Sequence, residues 1–313
     1  MKKLLLASTA LVLSAGLAHA QAVTISGEGR MGVGYESWNN GGSAWAQENR
    51  LQFNFTVSVT ADHGLTFGAF SRARITNGAT GVFSGSRVWV QANNLRLTFG
   101  NVDGAIRGAG TSHGYVGGCG VGYVGGVTCA DAVGLIGVYS YGFPGTGVPG
   151  VVAPNVTHGF ASTGGGAPAR IRLDYTMGDT RIALSHDRGG DTEIAARTTF
   201  DAFTVAAGYS SFGVDNVWTI SGHYNGGSWG AGVIVASLFG STNYSVSGNV
   251  QLAGGNLYGY YARLNHIGAG VNAFGINYGY GLGGGATLTA GLEQLTGSGD
   301  TVTTASVGVA FNF

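Results

Sequence analysis

The sequence predicts an all-β fold: a transmembrane antiparallel β-barrel of about sixteen strands, an even number as in single-chain bacterial outer-membrane barrels. Three observations lead there. First, apolar and polar residues alternate along most of the chain. In residues 50–59, RLQFNFTVSV, one wall is Leu51, Phe53, Phe55, Val57 and Val59, and the other is Arg50, Gln52, Asn54, Thr56 and Ser58. Successive strand side chains point to opposite faces, so one wall is wholly apolar and the other wholly polar. Second, the candidate strands run about 9–12 residues, enough for a tilted strand to cross a hydrocarbon core and longer than soluble strands usually are. Third, the arginines keep almost entirely to the polar wall; facing lipid at mid-bilayer each would cost roughly 2–4 kcal/mol. A soluble sandwich would turn the apolar wall inward. These observations together favour lipid outside, where only a closed barrel satisfies every strand edge.

Residues 1–20 stand apart from this pattern. Lys2 and Lys3 form a basic start, Leu4 to Leu17 an apolar run too short to span a bilayer, and Ala18-His19-Ala20 a small-residue cleavage site. They read as the signal peptide of an exported bacterial protein whose mature chain, 21–313, begins at Gln21. Those two lysines are the only ones. Without them 13 arginines face 15 acids, a net charge of −2 that argues against nucleic acid as a partner. With 60 glycines and only four prolines, and no collagen-like period, the composition disfavours helices.

The strands follow in order. Residues 23–35 set Val23, Ile25, Met31, Val33 and Tyr35 against Thr24, Ser26, Glu28 and Arg30; 50–59 come next. Residues 65–76 set Leu65, Phe67, Ala69 and Ile75 against Thr66, Arg72 and Arg74, and 86–92 set Val88 and Val90 against Arg87 and Gln91. Residues 95–100 set Leu95, Leu97 and Phe99 against Arg96 and Thr98. Short polar connections such as Asp62-His63-Gly64 and Asn93-Asn94 separate these runs, as hairpins require. Further candidates lie near 169–176, 180–187, 192–200, 202–211, 215–225, 228–238, 242–252, 256–265, 270–280, 286–295 and 302–313. In the last, Val302 is one position out of phase with Val307, Val309, Phe311 and Phe313, which calls for a later start or a bulge. Tyr258, Tyr260, Phe274, Tyr278, Tyr280, Trp229 and Phe313 are placed on the apolar face near strand ends, as an interfacial aromatic girdle requires.

The alternation stops over 101–168, which hold all four prolines, many glycines and both cysteines. A span this long without elements of its own reads as a functional loop, with a linker or domain boundary as the alternative. Cys119 and Cys129 read as a disulfide, since no histidine cluster at ligand spacing points to a metal. Closing so small a loop contributes on the order of 3 kcal/mol in the chain-entropy picture. Such a bridge would stiffen the loop.

The chain resembles the Rhodobacter-type porins, general diffusion porins of alphaproteobacterial outer membranes. The likeness rests on the start VTISGEGRMGVGY, on RLQFNFTVSVTADHGLTFGAFSRARI, on RLTFGNVDGA leading into the long segment, and on the ending YGLGGGATLTAGLEQ…ASVGVAFNF. It covers both ends of the mature chain, and the middle by layout. The resemblance implies a sixteen-stranded barrel in the lipid bilayer, usually a homotrimer, with the loop after strand five folded into the pore. It also implies that Phe313, preceded by Phe311, is the terminal signature read by the outer-membrane assembly machinery. In the resembled family an acidic stretch of that loop faces a basic wall. Here residues 101–168 carry only Asp103 and Asp131 as acids, with Arg107 and His113, so the usual cation bias is in question.

The chemistry-bearing residues are arginines. Arg30, Arg50, Arg72, Arg74, Arg87 and Arg96 fall on the polar face of the first five strands, and Arg170 and Arg172 on the sixth. Lining a lumen, they would make a positive field that sets a weak to moderate anion preference. The alternative is that they pair with Glu28, Glu48 and Asp174 for structure. No nucleophile elbow, P-loop, zincin or C-x-x-C motif occurs, and the six histidines beyond the signal are scattered. The prediction is therefore a passive channel; an enzyme barrel, an adhesin or a secreted β-rich structural protein are the other classes. Asp187, Asp191 and Glu193 gather around one turn and supply hard oxygens of the kind a surface Ca²⁺ takes, though a solvated acidic turn has the same composition.

Overall fold

A computed structural model describes residues 22–39, 41–76, 82–109, 130–133, 169–212, 215–266, 270–297 and 300–313. The strands are β1 (Ala22–Trp38), β2 (Gly42–Thr60), β3 (Thr66–Thr76), β4 (Val82–Phe83), β5 (Arg87–Ala92) and β6 (Leu95–Gly100). After the long segment come β7 (Arg170–Met177), β8 (Thr180–Asp187), β9 (Thr192–Phe200), β10 (Phe203–Phe212), β11 (Asp215–Asn225) and β12 (Trp229–Leu238). The wall finishes with β13 (Ser241–Leu252), β14 (Gly255–Arg263), β15 (Asn272–Gly283), β16 (Ala286–Gly297) and β17 (Asp300–Asn312). A short helix α1 (Ala105–Ala109) and a 3₁₀ turn at Ala130–Ala132 belong to the long segment.

Apart from β4 and β5, which do not pair with each other, every strand pairs antiparallel with its sequence neighbours, and β1 pairs with both β2 and β17, so the sheet closes on itself. β4 and β5 both pair with β3, at Ala73–Arg74 and at Thr66–Phe70, and so share one position; the 17 strands make a sixteen-position barrel. The break between them is stitched by Ser84, whose N–H donates to the Arg72 carbonyl at 2.7 Å and whose Oγ accepts from the Arg72 N–H at 3.0 Å.

The register settles which wall faces out. Val23, Ile25, Met31, Phe67, Val88, Ile220 and Ile276 are exposed although large and apolar, Val23 and Ile220 at 58 %. Their opposite-parity neighbours Gln52, Thr98, Asp174, Ser185, Glu193 and Thr304 are buried. A water-soluble protein does not present such a continuous apolar belt, whereas a barrel in lipid must. The start of β1, the end of β17 and the short turns at 61–65, 93–94, 178–179, 201–202, 226–228, 253–254 and 284–285 share one end of the barrel. Ala253 (φ 50°) and Gly254 (φ 78°) both take positive φ, the geometry of the tightest hairpin turn.

The expected strands are present to within a few residues, except that β1 and β2 run on to meet at 39–41, extending one hairpin well past the rest. β17 pairs with β16 and β1 without a register shift from Val302 to Phe311, so its out-of-phase valine is not a bulge. Val302 faces inward, 5 % exposed, within an apolar cluster with Val217, Ile234, Leu238, Tyr258, Leu264, Val271 and Leu295. The inner face of β11–β17 is therefore not polar throughout.

Candidate functional site

All eight predicted arginines stand on inward positions. The cross-strand pairs Arg30–Arg50, Gln52–Arg74, Asn54–Arg72 and Phe70–Arg87 lie on one parity of β1–β5, and Gln91–Arg96, Thr98–Arg172 and Gly100–Arg170 continue it through β7. Arg181 and Arg197, opposite one another on β8 and β9, extend the series and went unsingled in the sequence. Halfway round the sixteen positions from β3 stands β12, whose inner face offers Gly230, Gly232, Ile234 and Ala236. One sector is cationic and the facing one carries no charge.

Part of the cationic sector is compensated. Glu28 accepts from Arg30 Nη2 (2.9 Å) and from Arg50 Nη2 (3.0 Å), and Asp174 accepts from Arg172 (2.9 Å) and Arg181 (2.8 Å). The structural pairing with Glu28 and Asp174 is thus real, each acid shared by two guanidiniums. Arg72 donates to Asn54 Oδ1 (2.9 Å) and Arg74 to Gln52 Oε1 (2.7 Å), neutral amides that orient a guanidinium without cancelling its charge. Two inward aromatics join them: Arg87 lies 4.1 Å from the Phe70 ring centroid and Arg96 5.1 Å from that of Trp89.

The long segment enters the barrel along β7–β9, in the cationic sector. Arg170, 2 % exposed, reaches the Val102 carbonyl and Asp187 (3.5 Å), and Arg172 donates to the Asp103 carbonyl (2.9 Å). α1 then lies on Ala183 and Ala195 of β8 and β9 through Ala105, Ile106 and Ala109, all buried. Two of its leading N–H groups find partners on the wall: Ala105 donates to Ser185 Oγ and Ile106 to Glu193 Oε2, both at 2.9 Å. A carboxylate there also meets the positive end of the backbone dipoles. Gly104 is needed, because a Cβ would sit 2.3 Å from a Glu193 oxygen. Arg107 and Asp103, 3.6 Å apart, are the partly exposed charges of this foot.

A second contact is made at 130–133. Val133 is fully buried among the inward apolar residues of β11–β17, and Asp131, 1 % exposed, accepts from Tyr258 OH at 3.0 Å. Asp131 is thus committed to the wall and does not present its charge to the bore. Tyr258 and Tyr260 are corrected with it: both face inward, 2 % and 6 % exposed, Tyr260 bonding Glu293. Their stretch, LYGYYAR, has tyrosines of both parities, and only Tyr261 points out. The other five aromatics placed in the outer girdle, Trp229, Phe274, Tyr278, Tyr280 and Phe313, do stand on outward positions.

In the turn at 187–193, Asp187 and Glu193 have separate partners. Asp187 Oδ1 accepts from the Gly189 N–H at 2.8 Å while Oδ2 faces Arg170, and Glu193 caps α1, so the three acids do not converge on a cation. Among the described residues no group of three or more His, Cys, Asp or Glu could hold a metal ion. Cys119, Cys129 and His113 lie outside the described residues. The role of Glu193 was hidden in the sequence by its neighbours at the turn, although its parity matches Ala195 and Arg197.

A family model described as Gram-negative porin matches residues 7–311. No match is found among curated protein sequences. Among solved structures the fold is similar to a triple mutant of Rh. blastica porin, at TM-score 0.74 and 19 % identity, covering 93 % of this chain and 100 % of that one. A Rhodopseudomonas blastica porin triple mutant matches at TM-score 0.73 and 19 % identity, and a further Rh. blastica porin mutant at 0.72 and 20 %, each with the same coverage.

Proposed function

Since the chain belongs to the Gram-negative porin family, we propose that its bore is a passive diffusion path for small hydrophilic solutes with a weak to moderate preference for anions. The protein is an outer-membrane porin; what is proposed is how its lumen selects. One observation supports anion preference above all. The inward arginines of β1–β9 outnumber the acids beside them, and Asp131 of the loop is turned into the wall. Rings of one charge sign bias which ions enter a water-filled pore. Residues 101–168 narrow the bore, with Asp103 and Arg107 at its edge and the 119–129 bridge stiffening it.

Residues 1–20 act as the export signal and 21–313 as the barrel. The mature protein assembles as a homotrimer, and Phe311 and Phe313 form the signature met by the assembly machinery. Reversal potential in a KCl gradient across a planar bilayer tests the selectivity: the sign should report chloride over potassium. Clear cation selectivity would overturn the proposal. Sequencing the mature terminus, expected at Gln21, and comparing boiled with unboiled gel migration check export and trimer separately.

A further inference from the structure

Trp89 and Arg96 form a feature that simple charge selectivity does not use. Trp89 and Phe70 both take inward positions on the paired strands β5 and β3, in the middle of the arginine sector. The indole lies down on the wall: a Cβ at Gly68 would come within 2.1 Å of its ring, so the glycine clears its seat. Trp89 as a whole is half-buried, and the guanidinium carbon of Arg96 stands over its ring, 5.1 Å from the centroid, leaving part of the indole open. Gln91 Oε1 accepts from Arg96 Nε at 2.9 Å. A guanidinium held at Nε and stacked through its face has its terminal amino edge left to offer, the edge that grips carboxylate.

The surroundings favour an anion. Arg96 stands opposite Asp174, whose carboxylate already serves Arg172 and Arg181, so three guanidiniums share one acid. Arg96 is exposed, two residues beyond the Asn93–Asn94 turn, and the patch therefore opens at the short-turn mouth of the barrel.

We propose that Trp89 and Arg96 bind planar organic carboxylates, aromatic acids above all, at this mouth. The carboxylate takes the amino edge of Arg96 while the ligand's ring lies against the indole. A small aliphatic acid gains only the first contact, and a bulky saturated ring fits the flat indole less closely. The site would hold such anions briefly on their way through, raising their local concentration over that of chloride.

This inference rests on the channel reading, and the experiment separates the two. Single-channel KCl current is recorded with benzoate, cyclohexanecarboxylate or acetate added. Benzoate should interrupt the current with an apparent Kd roughly tenfold below that of acetate, as an added stacking contact implies, with cyclohexanecarboxylate between. Trp89→Leu should bring benzoate to the acetate level, and Trp89→Phe should restore most of the difference. Arg96→Gln should abolish benzoate interruptions and provides the same test if Trp89→Leu does not insert. Benzoate behaving like acetate on the unmodified protein, or unaffected by both Trp89→Leu and Arg96→Gln, overturns the site. A film that carries no KCl current at all overturns the channel reading instead.

Discussion

The long segment stands on the barrel wall with two feet, and they are built from opposite chemistry. The first, residues 102–109, is ionic: Arg170, Arg172, Ser185 and Glu193 reach in from β7–β9 to hold carbonyls and N–H groups of the segment. The second, residues 130–133, is greasy: Val133 sinks among Ile234, Leu238, Leu264 and Val302, with one phenol–carboxylate bond from Tyr258 to Asp131. Each foot matches its wall. The charged sector offers guanidiniums and acids that want backbone partners; the neutral sector offers apolar side chains that would otherwise face water inside the bore. Residues 102–109 and 130–133 are thereby fixed to two different parts of the wall.

The difference predicts unequal sensitivities. Arg170→Ala should be the most damaging change, because it removes a buried cation and strands the Asp187 carboxylate beside it. Losing one partner of a buried pair costs about 3–5 kcal/mol. The measurement is the temperature at which the unboiled gel band shifts, and an unchanged temperature would show that the first foot is not anchored by charge. Tyr258→Phe should matter less, by about 1–3 kcal/mol, since Asp131 is left buried with one fewer donor. Its expected signature is added open-channel noise rather than loss of the barrel. Equal noise in mutant and parent would mean that apolar contact alone secures the second foot.

A third effect concerns pH. His266, in the connection from β14 to β15 beside the second foot, is held neutral by burial, its pKa lowered from the usual 6.5 to about 4. Its backbone N–H donates to Asn243 Oδ1 at 3.0 Å, and its ring Nδ1 lies 2.8 Å from the same oxygen. A histidine whose folded pKa is depressed gives stability that is complete above pH 6.5 and is lost as pH falls through the folded value. The band-shift temperature should therefore decline between about pH 6.5 and 4, and His266→Asn should flatten that decline. A His266→Asn profile parallel to the parent's would assign the decline to other groups.

The wall of this barrel was readable from the chain because lipid imposes a strict rule: one parity must be apolar along each strand. The arginine sector was readable for the same reason, each guanidinium being excluded from the outer parity. What the sequence concealed was the inner face where protein, not water, covers it. There the rule relaxes, and Ile234, Leu295 and Val302 take inward positions that mimic a slipped register. Tyr258 and Tyr260 were hidden by Tyr261, which gives both parities the same residue type. Glu193 was read with its turn neighbours because its partner, the leading end of α1, lies more than eighty residues away in the chain and leaves no local mark.

The closing seam has a further consequence. Gly27 donates its N–H to the carbonyl of Phe313 at 2.7 Å, and the rings of Phe313 and Phe311 occupy the places where side chains of Gly27 and Gly29 would be. Phe313 thus latches onto a residue near the start of β1. Until β17 docks, β1 keeps a bare edge of amide and carbonyl groups, so the wall seals only when two segments far apart in the chain have met. Replacing Phe313 by Ala would take the ring off Gly27, while the pairs from Glu28–Asn312 to Trp38–Val302 would still hold the seam shut.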